Sequence, residues 1–334
     1  MNDQEKYNLI TRNLQEIIGE DELKELLKKK KQITVHWGTT PTGSPHISYY
    51  YPLLKIGDFL KAGLNVKILI ADLHAALDGI PWEILEKRQK YYEALIPEML
   101  KRMKVNTKKL EFVKGSTYQL EPKFITDVLK LATKTSIKEA TKAASEVVKL
   151  GDNPQLGGII YPLMQALDEE YLNADIQFGG TDQRKILVYA REYLPKLGYK
   201  PRIELMNFMI PGLIGEKMSS SVAGSKIDML DSEETISKKI NKADCITGNA
   251  NNGLLAFIKH VIFPLTNKFT IERPEKFGGN IEYKKYEELE KDFTNKNLHP
   301  ADLKKSLAKE LNNLVEPIRT QQKIIKLYKE AYSE

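Results

Sequence analysis

The segment ITVHWGTTPTGSPHIS, residues 33–48, decides the fold class of this sequence. Residues 33–37 are mostly β-branched or aromatic, as in a short buried strand. Residues 38–45 are rich in Gly, Pro and hydroxyl side chains and predict a loop, and the amphipathic stretch 46–62 predicts a helix. The segment therefore predicts a strand, a loop and a helix in succession, the first unit of an α/β sheet.

The same alternation continues along the first two thirds of the chain. Residues 65–71 (NVKILIA) form an apolar run typical of a buried strand, and residues 81–104, which begin with Pro81, predict a long helix. Strands are also predicted at 110–113 and 202–206. Strands that alternate with helices indicate a mostly parallel sheet.

Both ends of the chain have helical patterns. Residues 4–31 predict two helices, the first ending at Gly19. From residue 232 onward strand patterns stop, and helices are predicted at 232–243, 253–264, 285–293, 301–315 and 317–332. We therefore expect two domains, an α/β domain over residues 1–231 and a mainly α-helical domain over residues 232–334.

Composition excludes several classes of protein. The 51 Lys and Arg residues exceed the 45 Asp and Glu residues, and the net charge of +6 permits nucleic-acid binding without requiring it. The apolar runs are too short to cross a bilayer, and the N-terminus does not resemble a signal peptide, so we expect a cytoplasmic protein without a membrane segment. A single cysteine, Cys245, excludes an internal disulfide framework and a cysteine-built metal site.

The middle of the chain has a regular lysine pattern. Lysines recur at every fourth position: Lys130, Lys134, Lys138 and Lys142. On one helix this spacing places neighbouring lysines on one face. A solvated surface is the simpler explanation of such a face, and a track for a phosphate backbone is the alternative. Ser136 and Glu139 have the spacing of a capping box and predict a helix over 137–150.

Two motifs are suited to binding an anion. The loop 38–48 joins the end of a strand to the start of a helix, where unpaired backbone N–H groups bind phosphate. The motif EKMSSS, residues 216–221, brings a lysine and three hydroxyls into a Gly- and Ser-rich stretch, 212–224, that predicts an active-site flap. Each motif alone is weak, because ordinary loops share its composition.

Together and in this order, the two motifs resemble the HIGH and KMSKS signatures of class I aminoacyl-tRNA synthetases. Ser48 and Tyr49 depart from the glycine and second histidine of HIGH. Further segments are similar to tyrosyl-tRNA synthetases of the cytosolic eukaryotic and archaeal branch: ADLHA (71–75), YPLMQALD (161–168), FGGTDQRK (178–185) and RPEKFGG (273–279). The resemblance covers nearly the whole chain.

The resemblance implies a Rossmann-like catalytic domain, residues 1–231, and an anticodon-binding domain, residues 232–334. It implies activation of L-tyrosine with ATP and Mg²⁺ to tyrosyl-adenylate and pyrophosphate, followed by transfer of tyrosine to the 3′ end of tRNA(Tyr). Members of the family are homodimers, so a homodimer is expected.

The resemblance also assigns roles to residues. Tyrosine-binding positions are His36, His74, Tyr161, Gln165, Asp168 and Gln183. ATP-binding positions are Gly38, Thr40, Thr42, His46, Gly180, Asp182, Lys217 and Met218. Catalytic positions are His46, Lys217, Ser219, Ser220 and Ser221. Positions that bind tRNA are Arg184 and Lys185, near the first base pair of the acceptor stem, and Phe277, His299 and Asp302, at the first anticodon base. No metal ligand is implied in the chain.

The spacing of the tyrosine-binding residues is physically sound. Tyr161, Gln165 and Asp168 project from one face of a helix, so an amide and a carboxylate can converge on one small ligand. His36 stands where the family has a tyrosine that hydrogen-bonds the substrate phenol, and an imidazole can also donate or accept. We expect His36 to read the phenol with altered selectivity among phenol analogues. The alternative is that His36 packs elsewhere and Asp168 reads the phenol alone.

Three other functions remain open at this stage. A tryptophanyl-tRNA synthetase is one alternative, because His36 alters the phenol end, although Gln165 and Asp168 favour tyrosine. A non-catalytic RNA-binding paralogue is the second, although it would not need Lys217 and His46. The third is a small-molecule nucleotidyltransferase, which would lack the anticodon-domain residues.

Overall fold

The structure, a computed structural model, describes residues 1–30, 32–212 and 226–332. The chain divides into two compact units. The first unit comprises Met1–Thr42, Lys55–Glu93 and Val105–Met209, and the second comprises Gly43–Leu54, Ala94–Lys104 and Ile210–Glu334. The predicted boundary at residue 231 separates a catalytic from an anticodon-binding domain, and this division by function stays a prediction.

A six-stranded sheet lies in the first unit, counted over the described residues. Its strands are β1 (Glu16–Ile18), β2 (Thr34–Thr39), β3 (Asn65–Ile70), β4 (Leu110–Lys114), β5 (Ile176–Gly180) and β6 (Ile203–Asn207). Their order is β1-β6-β5-β2-β3-β4. All neighbouring pairs are parallel except β1 with β6. The predicted α/β class with a mostly parallel sheet is confirmed.

Helices precede, connect and flank these strands. They are α1 (Asp3–Thr11), α2 (Glu20–Lys29), α3 (Tyr50–Lys61), α4 (Asp72–Leu77), α5 (Trp82–Arg102), α6 (Pro122–Ala132), α7 (Ile137–Ala144), α8 (Leu156–Tyr171) and α9 (Arg184–Tyr193). Helix α8 packs against α6, α7 and α9. The core there includes the fully buried Phe124, Leu131, Leu167 and Ile186. This packing fixes the position of the helix that carries three predicted site residues.

The prediction of a first helix ending at Gly19 is wrong. Helix α1 ends at Thr11, and Asn13 adopts the left-handed conformation with φ of 58°. The chain then pairs with β6 as the antiparallel edge strand β1. Three residues make too short a strand to show a period in the sequence, so the pairing partner determines this structure.

The lysine pattern also has a different structure from the one predicted. Helix α6 ends at Ala132 and α7 begins at Ile137, so Lys134 lies between two helices and the four lysines do not share one helical face. Ser136 ends that connection and caps α7. Its hydroxyl accepts from the N–H of Glu139 at 3.2 Å, and its own N–H donates to the Glu139 carboxylate at 2.8 Å. The capping box is confirmed, and α7 ends at Ala144, earlier than predicted.

The second unit is mostly helical. Its later elements are α10 (Glu233–Lys242), α11 (Gly253–Phe257), a π-helical turn (Ile258–Ile262), α12 (Phe263–Thr266), β7 (Phe269–Ile271), β8 (Ile281–Tyr283), α13 (Tyr286–Thr294), α14 (Pro300–Arg319) and α15 (Gln322–Tyr332). Helices α10 and α14 pack together. Strands β7 and β8 form an antiparallel pair, so the prediction that strands stop at residue 232 is wrong. Among the residues described, no helix has both the length and the apolar character needed to span a bilayer.

Candidate active site

Two of the predicted tyrosine-binding residues, His74 and Gln183, follow the carboxyl ends of parallel strands, His36 lies within a strand, and the other three lie on one helix. Strand β2 carries His36, and α4, which carries His74, follows β3 directly. Helix α8 carries Tyr161, Gln165 and Asp168, and Gln183 follows the end of β5. Ligands of open α/β sheets bind at this edge, because loops and helix N-termini converge there.

Asp168 is the centre of the site and is 1% exposed. Its Oδ1 accepts hydrogen bonds from the Tyr118 hydroxyl at 2.6 Å and from Gln119 Nε2 at 2.7 Å. Its Oδ2 has no hydrogen-bond partner among the described residues, and His74 Nε2 lies 3.9 Å from it. One carboxyl oxygen is therefore held by the protein, and the other has the capacity to bind a hydroxyl.

Burial controls the charge of Asp168. Loss of hydration raises the pKa of its carboxyl to about 7, and the hydrogen bonds from Tyr118 and Gln119 oppose this rise while the Asp72 charge adds to it. The site therefore holds a carboxyl group that titrates close to neutral pH. Asp168 was predicted from its sequence segment, but its two donors were not, because Tyr118 and Gln119 lie about fifty residues earlier in a turn with no recognisable motif.

Two buried histidines accompany Asp168. Burial lowers the pKa of His36 to about 3 and that of His74 to about 4, so both are neutral near pH 7. Within the described part of the chain, their ring nitrogens have no hydrogen bond of good geometry, although Gln177 beside His36 and the Tyr161 backbone beside His74 oppose the lowering of their pKa values. The His74 ring packs edge-to-face on Tyr161 with centroids 4.5 Å apart. Each neutral imidazole offers one donor and one acceptor.

The structure brings the remaining tyrosine-binding candidates together in pairs. Gln165 Nε2 donates to Gln183 Oε1 at 3.0 Å. The Tyr161 hydroxyl lies 3.2 Å from Thr40 Oγ1. The side chains of Gln165 and Tyr161 on α8 therefore reach residues that follow β5 and β2, and the roles of these residues stay proposals.

A row of polar side chains crosses the sheet at His36. In register, His36 lies between Lys67 of β3 and Gln177 of β5, and Gln177 lies beside Glu204 of β6. Directly opposed residues of parallel strands point to the same face of the sheet. We call these four residues the polar row. His36, Gln177 and Glu204 are at most 2% exposed, and Lys67 Nζ donates to the Leu172 carbonyl at 3.0 Å.

Glu204 ends the polar row beside a second buried acid. Burial raises the pKa of Glu169 to about 8, and burial with the Glu169 charge raises that of Glu204 well above its usual range. Arg202 opposes both shifts, and its Nη2 donates to Glu170 at 2.5 Å. Neither carboxyl oxygen of Glu204 has a hydrogen-bond partner in the part of the chain that is described. Glu169 follows Asp168 on α8, Glu204 lies beside Gln177 in the sheet, and neither acid was predicted from the sequence.

The HIGH-like segment is held within the second unit. His46 is buried and forms a short antiparallel bridge with Asp228, and the Ile47 N–H donates to the Ile227 carbonyl at 2.9 Å. Burial, with the charge of Lys226 as a smaller cause, lowers the pKa of His46 to about 4. His46 is therefore neutral near pH 7. The structure thus joins this motif to residues just after the KMSSS segment.

Lys217, Met218, Ser219, Ser220 and Ser221 lie outside the described residues. The part of the loop that carries Thr40 and Thr42 is described. Arg88 Nη1 donates to the carbonyls of Pro41 and Thr42, at 3.2 and 2.5 Å. In the described ranges no group of three or more His, Cys, Asp or Glu side chains could hold a metal ion.

Two of the ATP-binding candidates in the first unit, Gly38 and Gly180, are glycines. A Cβ at Gly180 would lie 2.5 Å from Asp182 Oδ1, so a side chain there requires a shift of the carboxylate of Asp182, itself a predicted ATP-binding residue. A Cβ at Gly38 would lie 3.6 Å from His36 Nε2, which is an ordinary contact. A side chain is therefore harder to accommodate at position 180 than at position 38.

The candidate acceptor-stem residues already form ion pairs. Arg184 donates to both carboxylate oxygens of Glu16 at 2.7 and 2.8 Å, and Lys185 lies 2.9 Å from Glu146. The Arg184 and Lys185 side chains are 51% and 38% exposed. An RNA phosphate would have to compete with these carboxylates for the two cations.

The candidate anticodon residues lie in the second unit. Phe277 is 60% exposed, at the end of a turn over Glu275–Phe277. His299 caps α14, since its Nδ1 accepts from the Ala301 N–H at 3.1 Å, and Asp302 follows in the first turn. An exposed aromatic ring is suited to stacking on an unstacked base.

Comparison with known proteins decides the family. A model of class I tRNA synthetases (W and Y) matches residues 28–316. The cytoplasmic tyrosine–tRNA ligase of Saccharomyces cerevisiae is 49% identical over 328 residues, which cover 94% of this chain and 83% of that protein. The chain belongs to the class I tyrosyl-tRNA synthetases. The cytoplasmic tyrosine–tRNA ligase of Gallus gallus is 54% identical, over 95% of this chain.

Solved tyrosyl-tRNA synthetases have the same fold. The enzyme from Archaeoglobus fulgidus, complexed with L-tyrosine, superposes with a TM-score of 0.87 at 38% identity, covering 94% of this chain and 98% of that one. The Pyrococcus horikoshii enzyme, also complexed with L-tyrosine, gives a TM-score of 0.92 at 27% identity over the whole of both chains. The chain spans only 60% to 63% of the length of the chicken and zebrafish relatives, Gallus gallus and Danio rerio, that it matches.

Proposed function

We propose that this chain is a tyrosine–tRNA ligase that converts L-tyrosine and ATP to tyrosyl-adenylate and pyrophosphate, then transfers tyrosine to the 3′ end of tRNA(Tyr). The observation that carries the proposal is Asp168, a buried carboxyl with one oxygen held and the other without a partner among the described residues. Membership of the tyrosyl-tRNA synthetases supports the phenol hydroxyl of tyrosine as the ligand of that carboxyl.

Selectivity for tyrosine follows from the buried carboxyl. A phenol hydroxyl can bond to Asp168 Oδ2, with the neutral rings of His74 and His36 as further partners. Phenylalanine would occupy the same space and leave these groups unpaired, which costs about 1–3 kcal/mol for each buried polar group. Tyr161 and Gln165 are proposed to bind the substrate ammonium, and Gln183 lies on the carboxylate side.

Adenylation needs positioning and electrostatics rather than a protein nucleophile. The substrate carboxylate attacks the α-phosphorus of ATP, and pyrophosphate leaves. We assign contacts with the phosphates to His46, with Thr40 and Thr42, and to Lys217 with the serines at 219–221. Gly38, Gly180, Asp182 and Met218 are assigned to the nucleotide.

Mg²⁺ is proposed to arrive with ATP. The described residues contain no three-ligand group for a resident ion, and the phosphate oxygens that accompany ATP are ligands that Mg²⁺ prefers. Bound there, the ion would neutralise charge on the phosphates.

The other assignments concern RNA and assembly. We assign catalysis to residues 1–231 and anticodon binding to residues 232–334, with Phe277, His299 and Asp302 contacting the anticodon. Arg184 and Lys185 are assigned to the acceptor stem. We further propose a cytoplasmic homodimer; relatives at 45% to 54% identity are named as cytoplasmic enzymes.

The test is amino-acid-dependent ATP–pyrophosphate exchange by the purified chain without tRNA. Tyrosine, tryptophan and phenylalanine are offered separately, and a Lys217→Ala variant controls for contaminating activity. We expect exchange with tyrosine only, followed by tyrosine transfer when tRNA(Tyr) is added. Exchange with tryptophan would reassign the substrate. Absence of exchange with all three would favour an RNA-binding protein without catalysis.

A further inference from the structure

We propose that Tyr118 and Gln119 are positioning residues that make Asp168 selective for a phenol hydroxyl. The inference rests on the proposed function and adds two residues to the specificity site. Neither residue is adjacent in sequence to the motifs that identify the family. Their contribution follows from which oxygen of Asp168 they bind.

Both residues donate to the same oxygen of Asp168. Tyr118 and Gln119 follow each other in the chain, and their donors reach Oδ1 from the turn after β4. A carboxyl group with two donors on one oxygen cannot rotate without breaking both hydrogen bonds, and bonds to a charged acceptor are the stronger kind. Oδ2 is therefore held in one orientation, which is a condition for reading a single hydroxyl.

The turn that carries the two donors is itself fixed. The Ser116 N–H donates to Asp72 Oδ1 at 2.9 Å, which ties the turn to the first residue of α4. A Cβ at Gly115 would lie 2.5 Å from Gln119 Oε1 and 2.8 Å from Asp72 Oδ1, so only glycine leaves Gln119 in place. Asp72 and Gly115 thus support the position of Gln119, and Gln119 supports Asp168.

The hydroxyl of Tyr118 matters more in this chain because the residue at position 36 is a histidine. His36 replaces the tyrosine that the family is expected to place against the phenol, so that hydroxyl is absent from β2. Tyr118 brings a phenolic donor to the same carboxyl from the turn after β4, at 2.6 Å. The chain therefore has a tyrosine hydroxyl near this end of the site that binds the carboxyl of Asp168 rather than the ligand.

The groups around Asp168 define a titration that can be measured. The titratable or polar groups that face its carboxyl are Asp72 and His74 from α4, Tyr118 and Gln119 from the turn, and Tyr161 and Glu169 from α8. Donation by Tyr118 favours the ionised form and lowers the pKa of Asp168 against the effect of burial. Removal of that hydroxyl should raise this pKa further.

The experiment compares Tyr118→Phe with the matched variant Tyr171→Phe. Tyr171 stacks beside Tyr118 with centroids 6.3 Å apart, and its hydroxyl donates to Asp127 at 2.9 Å instead of Asp168. Exchange kinetics give kcat and KM for tyrosine and phenylalanine. In Tyr118→Phe we expect the preference for tyrosine over phenylalanine to fall about tenfold, mainly through KM for tyrosine, as expected for one hydrogen bond. Adding Gln119→Met should lower it about tenfold again.

A second measurement does not depend on activity. Carboxyl ¹³C NMR, with Asp168 assigned by the Asp168→Asn variant, follows its titration in each protein. We expect a higher midpoint in Tyr118→Phe and an unchanged midpoint in Tyr171→Phe. Equal selectivity and equal midpoints in the two variants would overturn the inference while leaving the proposed function intact. Absence of exchange in the unmodified chain would instead refute the proposed function, and the titration would still show whether Tyr118 holds Asp168.

Discussion

Replacing Asp168 with asparagine should stabilise the folded protein and remove its preference for tyrosine over phenylalanine. Burial raises the pKa of Asp168 from 3.8 to about 7, so the folded chain binds this proton far more tightly than the unfolded chain does. A difference of roughly 3 pKa units corresponds to about 4 kcal/mol at about 1.4 kcal/mol per unit. An asparagine fills the same space, and its Oδ1 can keep the hydrogen bonds from Tyr118 and Gln119.

The sign of the effect depends on pH. Below about pH 4 the carboxyl is neutral in both states, so Asp168 and asparagine should give similar stability. Between about pH 4 and pH 7 the unfolded chain loses the proton first, and the stability of the unmodified protein falls. Above about pH 7 the cost is constant. The advantage of Asp168→Asn should therefore grow by up to about 4 kcal/mol between pH 4 and pH 8.

Urea unfolding followed by circular dichroism measures this difference at several pH values. The control is Asp152→Asn, which removes an exposed aspartate and should leave the pH dependence unchanged. Tyrosine-dependent exchange is measured on the same samples, and Asp168→Asn should lose its preference for tyrosine over phenylalanine. If the stability of Asp168→Asn and of the unmodified protein changes equally with pH, then Asp168 does not titrate near neutrality and the reasoning is wrong.

Three further substitutions test other parts of the structure. Glu204→Gln should stabilise the protein above about pH 7 and have little effect near pH 4, because burial raises the pKa of Glu204 in the fold; urea midpoints at both pH values would show this. Gly253→Ala should destabilise the protein by about 1–3 kcal/mol, since the new Cβ would overlap the Gly212 carbonyl oxygen, and thermal unfolding would refute this if the midpoint stayed unchanged. Ser136→Ala removes the cap of α7 and should cost about 1 kcal/mol, whereas Lys138→Ala in the same helix should cost less; calorimetry of both compares them.

Local patterns predicted much of the fold because most elements are long enough to show a period or a boundary residue. The apolar run at 65–71 became β3, Pro81 precedes α5, and Ser136 with Glu139 caps α7. The spacing of residues on α8 correctly placed three side chains on one helix. Four short strands escaped prediction: β1, β7 and β8 have three residues each, and β5 ends in two glycines that resemble a loop.

Residues of the candidate site could be predicted only where they lie within a recognisable sequence motif. His74 and Asp168 lie within recognisable segments, and the structure places them 3.9 Å apart. Tyr118 and Gln119 have no such signal, because a donor near residue 118 gives no local indication that its acceptor lies fifty residues away. The polar row was invisible for the same reason, since strand register rather than sequence spacing makes His36, Gln177 and Glu204 neighbours.

The polar row also has an evolutionary consequence. His36, Gln177 and Glu204 lie side by side on one buried face, so a change in the size or hydrogen-bonding character of one alters what its neighbours can tolerate. Substitutions at these positions should therefore have arisen jointly, even though more than twenty residues separate each from the next in the chain. A related chain that carries tyrosine at the place of His36 is expected to carry a different residue at the place of Glu204 or Gln177.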